Sequence, residues 1–117
     1  MAQPTSFRFD AIGARGAVLT LDGTCNLSTS VEVEERIRSA LEAGRTQIVL
    51  DLRGVSSLVP SLLHVLFRGL LQTMGRSGTF ILVPPNPSVW STFERSGLDR
   101  MFQTARDLKG ALATEAA

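Results

Sequence analysis

The sequence predicts an α/β domain: a mixed, mostly parallel sheet of four to five strands, with about four helices mainly on one face. Three observations point there. The apolar runs at residues 47–52 and 79–83 are too continuous for half-exposed strands, which is the pattern of a parallel sheet covered on both sides. Segments with a four-residue apolar period separate those runs, giving the alternation expected of βαβ units. And 44% of the 117 residues are hydrophobic while 20% are charged, enough apolar material for one core in a chain of single-domain length. The domain is expected to span 1–117, with its core at about 7–108.

The elements follow in order. Phe7–Arg8–Phe9–Asp10–Ala11–Ile12 alternates apolar and polar, Gly13 and Gly16 bracket a turn, and Ala17–Leu21 returns, so the chain opens on a hairpin. Asp22–Gly23 is expected to end that strand. Ser28 or Thr29 is placed to cap a helix whose early acids, Glu32, Glu34 and Glu35, suit the positive end of its dipole. Val33, Ile37 and Leu41 form its inner stripe, and Gly44 closes it. Gln47–Leu52 is a buried strand and residues 53–57 a loop. Pro60 has the fixed φ favoured at a first helical position. The second helix runs from Ser61 to Met74, closed by Gly75 and Gly78. Thr79–Val83 is a strand stopped by Pro84–Pro85. Asn86 or Ser88 starts a third helix through Val89, Trp90, Phe93 and Glu94 to Ser96–Gly97. Residues 98–102 have room for one more short strand, and a last helix runs from Ala105 to about Leu112. The small-residue tail at 113–117 is expected to fray. Right-handed crossovers would put the helices at 31–43 and 61–75 on one face.

Several chemistries are excluded by residue type. A formal net charge of +1 with dispersed basic residues gives no footprint for nucleic acid or an anionic membrane. No apolar run approaches the ~20 residues of a membrane span, and no leader pattern opens the chain, so a cytoplasmic protein with no direct membrane insertion is expected. Cys25 is the single cysteine and His64 the single histidine, so no disulfide, metal cluster or Cys–His pair is expected, nor any cofactor. The glycines fit neither nucleotide fingerprint, and Gly-x-Ser-x-Gly is absent. Asp51 ends a buried strand, where a phosphoacceptor aspartate could sit. It lacks a second acid for Mg²⁺ and a lysine for the phosphoryl charge, so a structural aspartate is expected. No catalytic residue is expected.

The helix from Ser61 is apolar around most of its circumference, with Ser61, His64, Arg68 and Gln72 as its polar stripe. Such a helix is central in its domain or partly covered by a partner.

Taken together, Ile48–Ser56 followed by a helix resembles the central strand and loop of the STAS family, the sulphate transporter and anti-sigma factor antagonist domains. Leu19–Gly23 followed by Ser28–Thr29 resembles that family's second strand and turn, and Pro85–Leu98 its third helix. The matches lie in order over roughly residues 7–108. The resemblance implies a STAS-like fold without catalysis, and a free-standing anti-sigma factor antagonist as the kind of protein. It implies a serine-kinase anti-sigma factor or other regulatory protein as partner, and a phosphoserine at the start of the second long helix as the off-switch, since phosphate adds about −1.5 to −2 charges.

The chain departs from that pattern. Where switched members have Asp-Ser-Ser-Gly, it has Val59–Pro60–Ser61–Leu62, and Asn26 stands at a further acidic position. Pro60 occupies the usual acceptor position, so the switch is expected to be absent, with Ser57 and Ser61 as substitutes. The expected partner surface is Asn26, Ser28, Thr29, Ser56, Ser57, Val59, Pro60, Ser61, Leu62, His64 and Arg68. Two alternatives remain open: a STAS subunit of a membrane transport or lipid-trafficking ABC assembly, and a small-ligand module. A homodimer is also open.

Overall fold

A computed structural model describes residues 6–116, with side chains to residue 112. Five strands form one sheet in the order β1 (Ser6–Ile12), β2 (Gly16–Cys25), β3 (Gln47–Leu58), β4 (Thr79–Val83), β5 (Gln103–Thr104). β1 pairs antiparallel with β2, and the other three pairings are parallel. Between the strands run α1 (Leu27–Glu42), α2 (Pro60–Gly75), α3 (Pro87–Ser96) and, last, α4 (Leu108–Ala116). This is the mixed, mostly parallel architecture the sequence predicts.

Alternation along the strands makes two cores. Leu19 and Leu21 on β2, Ile48, Leu50 and Leu52 on β3, and Phe80 and Leu82 on β4 pack against α1, α2 and α3. The alternate residues Val18, Val49, Ile81 and Val83 pack on the other face with Ala111 of α4. Fully buried leucines and isoleucines of this kind each contribute about 1.5–3 kcal/mol of transfer free energy. At the sheet edge, the Arg36 guanidinium of α1 lies 5.9 Å from the ring centres of both Phe7 and Phe9.

The structure corrects four sequence readings. β2 continues through Asp22–Gly23 to Cys25, and β3 runs through the expected loop to Leu58. Both extensions use a β-bulge near Asp22, whose carboxylate lies over Gly54: a Cβ there would come within 1.7 Å of Asp22 Oδ1. Gly54 thus admits a neighbour, and does not break the strand. Residues 98–102 hold a 3₁₀ turn (Leu98–Arg100) after Gly97 closes α3 at φ 78°, with β5 following. The last helix starts at Leu108 and takes in most of the expected tail, whose side chains lie outside the described residues.

Candidate functional site

Parallel strands β2, β3 and β4 all end at one edge of the domain, so the N-termini of α1, α2 and α3 converge there. In α/β folds this carboxyl end of the strands is where function is carried.

Each helix start is built differently. α1 is capped by Asn26: its Oδ1 accepts from Thr29 N at 3.1 Å, and its own backbone N–H donates to Thr29 Oγ1 at 3.1 Å. Ser28 and Thr29 are therefore not the cap; Asn26 starts the helix two residues earlier and uses Thr29 as the other half of a capping box. α3 is capped by Asn86, which accepts from Val89 N at 3.0 Å. α2 has no side-chain cap, because Val59 occupies that place. Its start is fixed by Pro60 at the first helical position and by Leu62 N donating to Val59 O at 3.0 Å.

Two contacts join the β2–α1 and β3–α2 joints. Val59 N donates to Cys25 O at 3.1 Å, and the hydroxyls of Ser30 and Ser61 lie 3.0 Å apart. Ser30 Oγ also reaches Asn26 O at 3.5 Å, so Ser61 donating to Ser30 and Ser30 donating to that carbonyl forms a continuous chain.

The structure separates the expected contact residues. Asn26, Ser28, Ser56, Ser57, Pro60, His64 and Arg68 are exposed, and Val59 and Ser61 are half-buried. Leu62 is 0% exposed and Thr29 2%, so neither offers surface. Leu62 points into the core because it is one helical turn from Leu66, on the inner face of α2; Thr29 is consumed by the cap. Arg68 pairs with Glu34 of α1 and so braces the two helices.

Two residues escaped the sequence reading. Leu27 and Val31 are 66% and 60% exposed, one turn apart on the outer side of α1. The signal was present: both fall outside the Val33–Ile37–Leu41 stripe once the helix is started at Asn26.

Neighbouring reactive groups are occupied. Asp51 is buried and accepts from Arg53 N at 3.2 Å, from Nε at 3.0 Å and from Nη2 at 3.0 Å, a closed fork with no free carboxylate oxygen. Burial, and secondarily the charge of Asp22, push the Cys25 thiol up to about 11, so it is protonated and unreactive at neutral pH. Among the described residues no group of three His, Cys, Asp or Glu side chains could hold a metal, and no helix is long and apolar enough to cross a membrane. A cleft of about 460 Å³ lined by Ile12, Gly16, Val18, Val49 and Leu112 lies at the opposite end, by the amino ends of the parallel strands.

A sequence model described as the STAS domain matches residues 8–111. No curated protein matches the chain in sequence. Solved structures share the fold. An anti-sigma factor antagonist from Mycobacterium paratuberculosis is 20% identical, with a TM-score of 0.83 over 97% of this chain and 96% of that one. An anti-sigma-factor antagonist (STAS) domain protein from Planctomyces limnophilus is 17% identical, with a TM-score of 0.80 over 95% and 98%. The Bacillus cell fate determinant SpoIIAA in its phosphorylated form is 19% identical, with a TM-score of 0.75 over 93% and 98%.

Proposed function

The chain belongs to the STAS domain family, and on that premise we propose that it is a non-catalytic regulator of the anti-sigma factor antagonist kind. It binds an anti-sigma factor of the serine-kinase class, or a related regulatory protein, in the cytoplasm. The contact is the carboxyl end of the sheet: Asn26, Ser28, Ser56, Ser57, Val59, Pro60 and Ser61, joined by Leu27 and Val31 and flanked by His64 and Arg68. The observation that carries the reading is the exposure of Leu27, Val31 and Pro60 around the paired starts of α1 and α2. Apolar groups clustered in this way favour a protein partner over solvent.

The usual serine switch is absent on this reading. Pro60 has no hydroxyl, and Ser61, the next residue, already shares its hydroxyl with Ser30 at 3.0 Å. Ser57, exposed near the end of β3, is the more accessible of the two substitutes.

The test is a titration of the chain with a serine-kinase anti-sigma factor, with and without ATP. Binding is expected in both, with no gain of about 80 Da in intact mass. Pro60→Arg combined with Ser28→Arg should weaken binding at least about tenfold. Undiminished binding by that double variant rules out this surface. A phosphate found at Ser57 or Ser61 restores the switch.

A further inference from the structure

The three segments that build the docking end share a property seen only when the fold brings them together. Residues 23–31, 54–63 and 77–93 contain no Asp, Glu, Lys, Arg or His, in a chain carrying 12 basic and 11 acidic residues. They hold the ends of β2 and β3, the whole of the buried strand β4, and the first turns of α1, α2 and α3; the strand order sets their carboxyl-end portions, 23–31, 54–63 and 84–91, side by side. None of these helices has an acid in its first turn, although the helix dipole favours one there. On this uncharged ground stand exposed Leu27, Val31 and Pro60 and half-buried Leu58 and Val59. Charge returns only around it, at exposed Asp22, Glu32, Arg53 and His64.

We infer that this charge-free end is self-complementary: two copies of the chain pair through it about a two-fold axis, and pairing covers the docking face. The argument is one of symmetry. In a two-fold contact, residues near the axis meet their own copies. An ionised side chain there would face a like charge at short range, with water excluded. A surface built to meet itself therefore needs a neutral centre and can carry charge only at its rim. A surface built for a charged partner would instead carry the opposite sign. The observed pattern, apolar and hydroxyl groups within and mixed charges around, is the self-compatible one.

The inference rests on the proposed docking face in one respect: pairing hides it. A partner then competes with the second copy, and the free fraction of the face falls as the chain concentration passes the dimer dissociation constant. Concentration takes the place of the missing hydroxyl as a control.

The experiment needs only the purified chain, so its outcome is separate from that of the anti-sigma factor titration. Sedimentation equilibrium is run from about 1 μM to about 1 mM, the range of weak to moderate contacts, in about 50 mM and about 1 M NaCl, where screening differs most. A monomer–dimer equilibrium is expected, with a dissociation constant that moves less than about threefold between the two salts. Val31→Glu alone and Val31→Lys alone should each weaken pairing at least about tenfold, and an equimolar mixture of the two should recover it, because opposite charges then meet across the axis. Val31 is exposed, so circular dichroism should show both variants folded. A chain that stays monomeric at the highest concentration in both salts overturns the inference. So does a dimer that dissolves in high salt, or one that neither variant weakens. Loss of pairing in the mixture as well as in the single variants also overturns the two-fold geometry.

Discussion

At the amino end of the parallel strands, arginines reach across the chain to oxygen atoms: Arg45 to Gly13 O at 3.0 Å and Gly16 O at 2.8 Å, Arg15 to Thr46 Oγ1 at 3.2 Å, and Arg76 to Leu41 O at 2.8 Å. At the carboxyl end the corresponding joints are made by neutral groups: the Asn26 and Asn86 caps, the Ser30–Ser61 hydroxyl pair and the Val59–Cys25 backbone bond. One end is stapled by charge beside its cleft. The other is ordered without charge and, with Leu27, Val31 and Pro60 exposed, is the open end. Helix C-termini gather at the first end and N-termini at the second, and cations suit the former. Carboxylates would suit the latter, and none stands in the first turn of α1, α2 or α3.

Four perturbations sharpen or break this contrast. The largest effect is expected from Leu62→Ala, which empties a fully buried position just beneath the open end. It should cost about 2–5 kcal/mol in urea denaturation. A small cost with lost partner binding would return Leu62 to the contact surface. The second concerns Cys25, whose thiol rises from its ordinary 9.0 to about 11 in the folded chain. The folded state holds this proton more tightly than the unfolded state. The stabilisation is therefore complete below about pH 9 and lost as pH climbs through about 11, a change of at most about 2–3 kcal/mol. The urea midpoint should fall more steeply between pH 8 and 11 for the parent chain than for Cys25→Ala, and parallel curves would show the thiol to be solvated. Third, Arg45→Ala removes two bonds from a charged donor and should cost about 1–2 kcal/mol. Smallest is Asn26→Ala, at about 1 kcal/mol for a lost cap. If thermal unfolding ranked Asn26 above Arg45, the open end would be the more tightly held of the two.

The fold was legible because its carriers are long and periodic: the Val33–Ile37–Leu41 stripe, the unbroken 47–52 and 79–83 runs, and Pro60 at a helix start. Its failures have particular causes. Gly54 reads as a break, yet it serves the Asp22 side chain lying across it, a contact between residues on separate strands that no local pattern records. β5 has two residues, too few for any period to show. The candidate site was legible as a place but not as a surface. The segments expected to form it, 26–29 and 56–62, do meet at the carboxyl end of the sheet, while Leu62, placed outward by its position in the family motif, turns inward by its helical phase. Starting the helix at Ser28 or Thr29 passes over the Asn26 cap, and with it the outward phase of Leu27 and Val31. The shared neutrality of three segments far apart in sequence becomes visible only once the strand order is known.

The register of β1 has a practical consequence. Ser6, the first residue of β1, pairs with Asp22, three residues before β2 ends, so β1 begins beside the carboxyl end of the sheet. Leu112 of α4, by contrast, lines the cleft at the far end with Ile12 and Gly16. A fluorophore, affinity handle or surface tether joined ahead of β1 would crowd the proposed contact face and depress both partner capture and self-pairing. The same handle placed after α4 would point the face into solution.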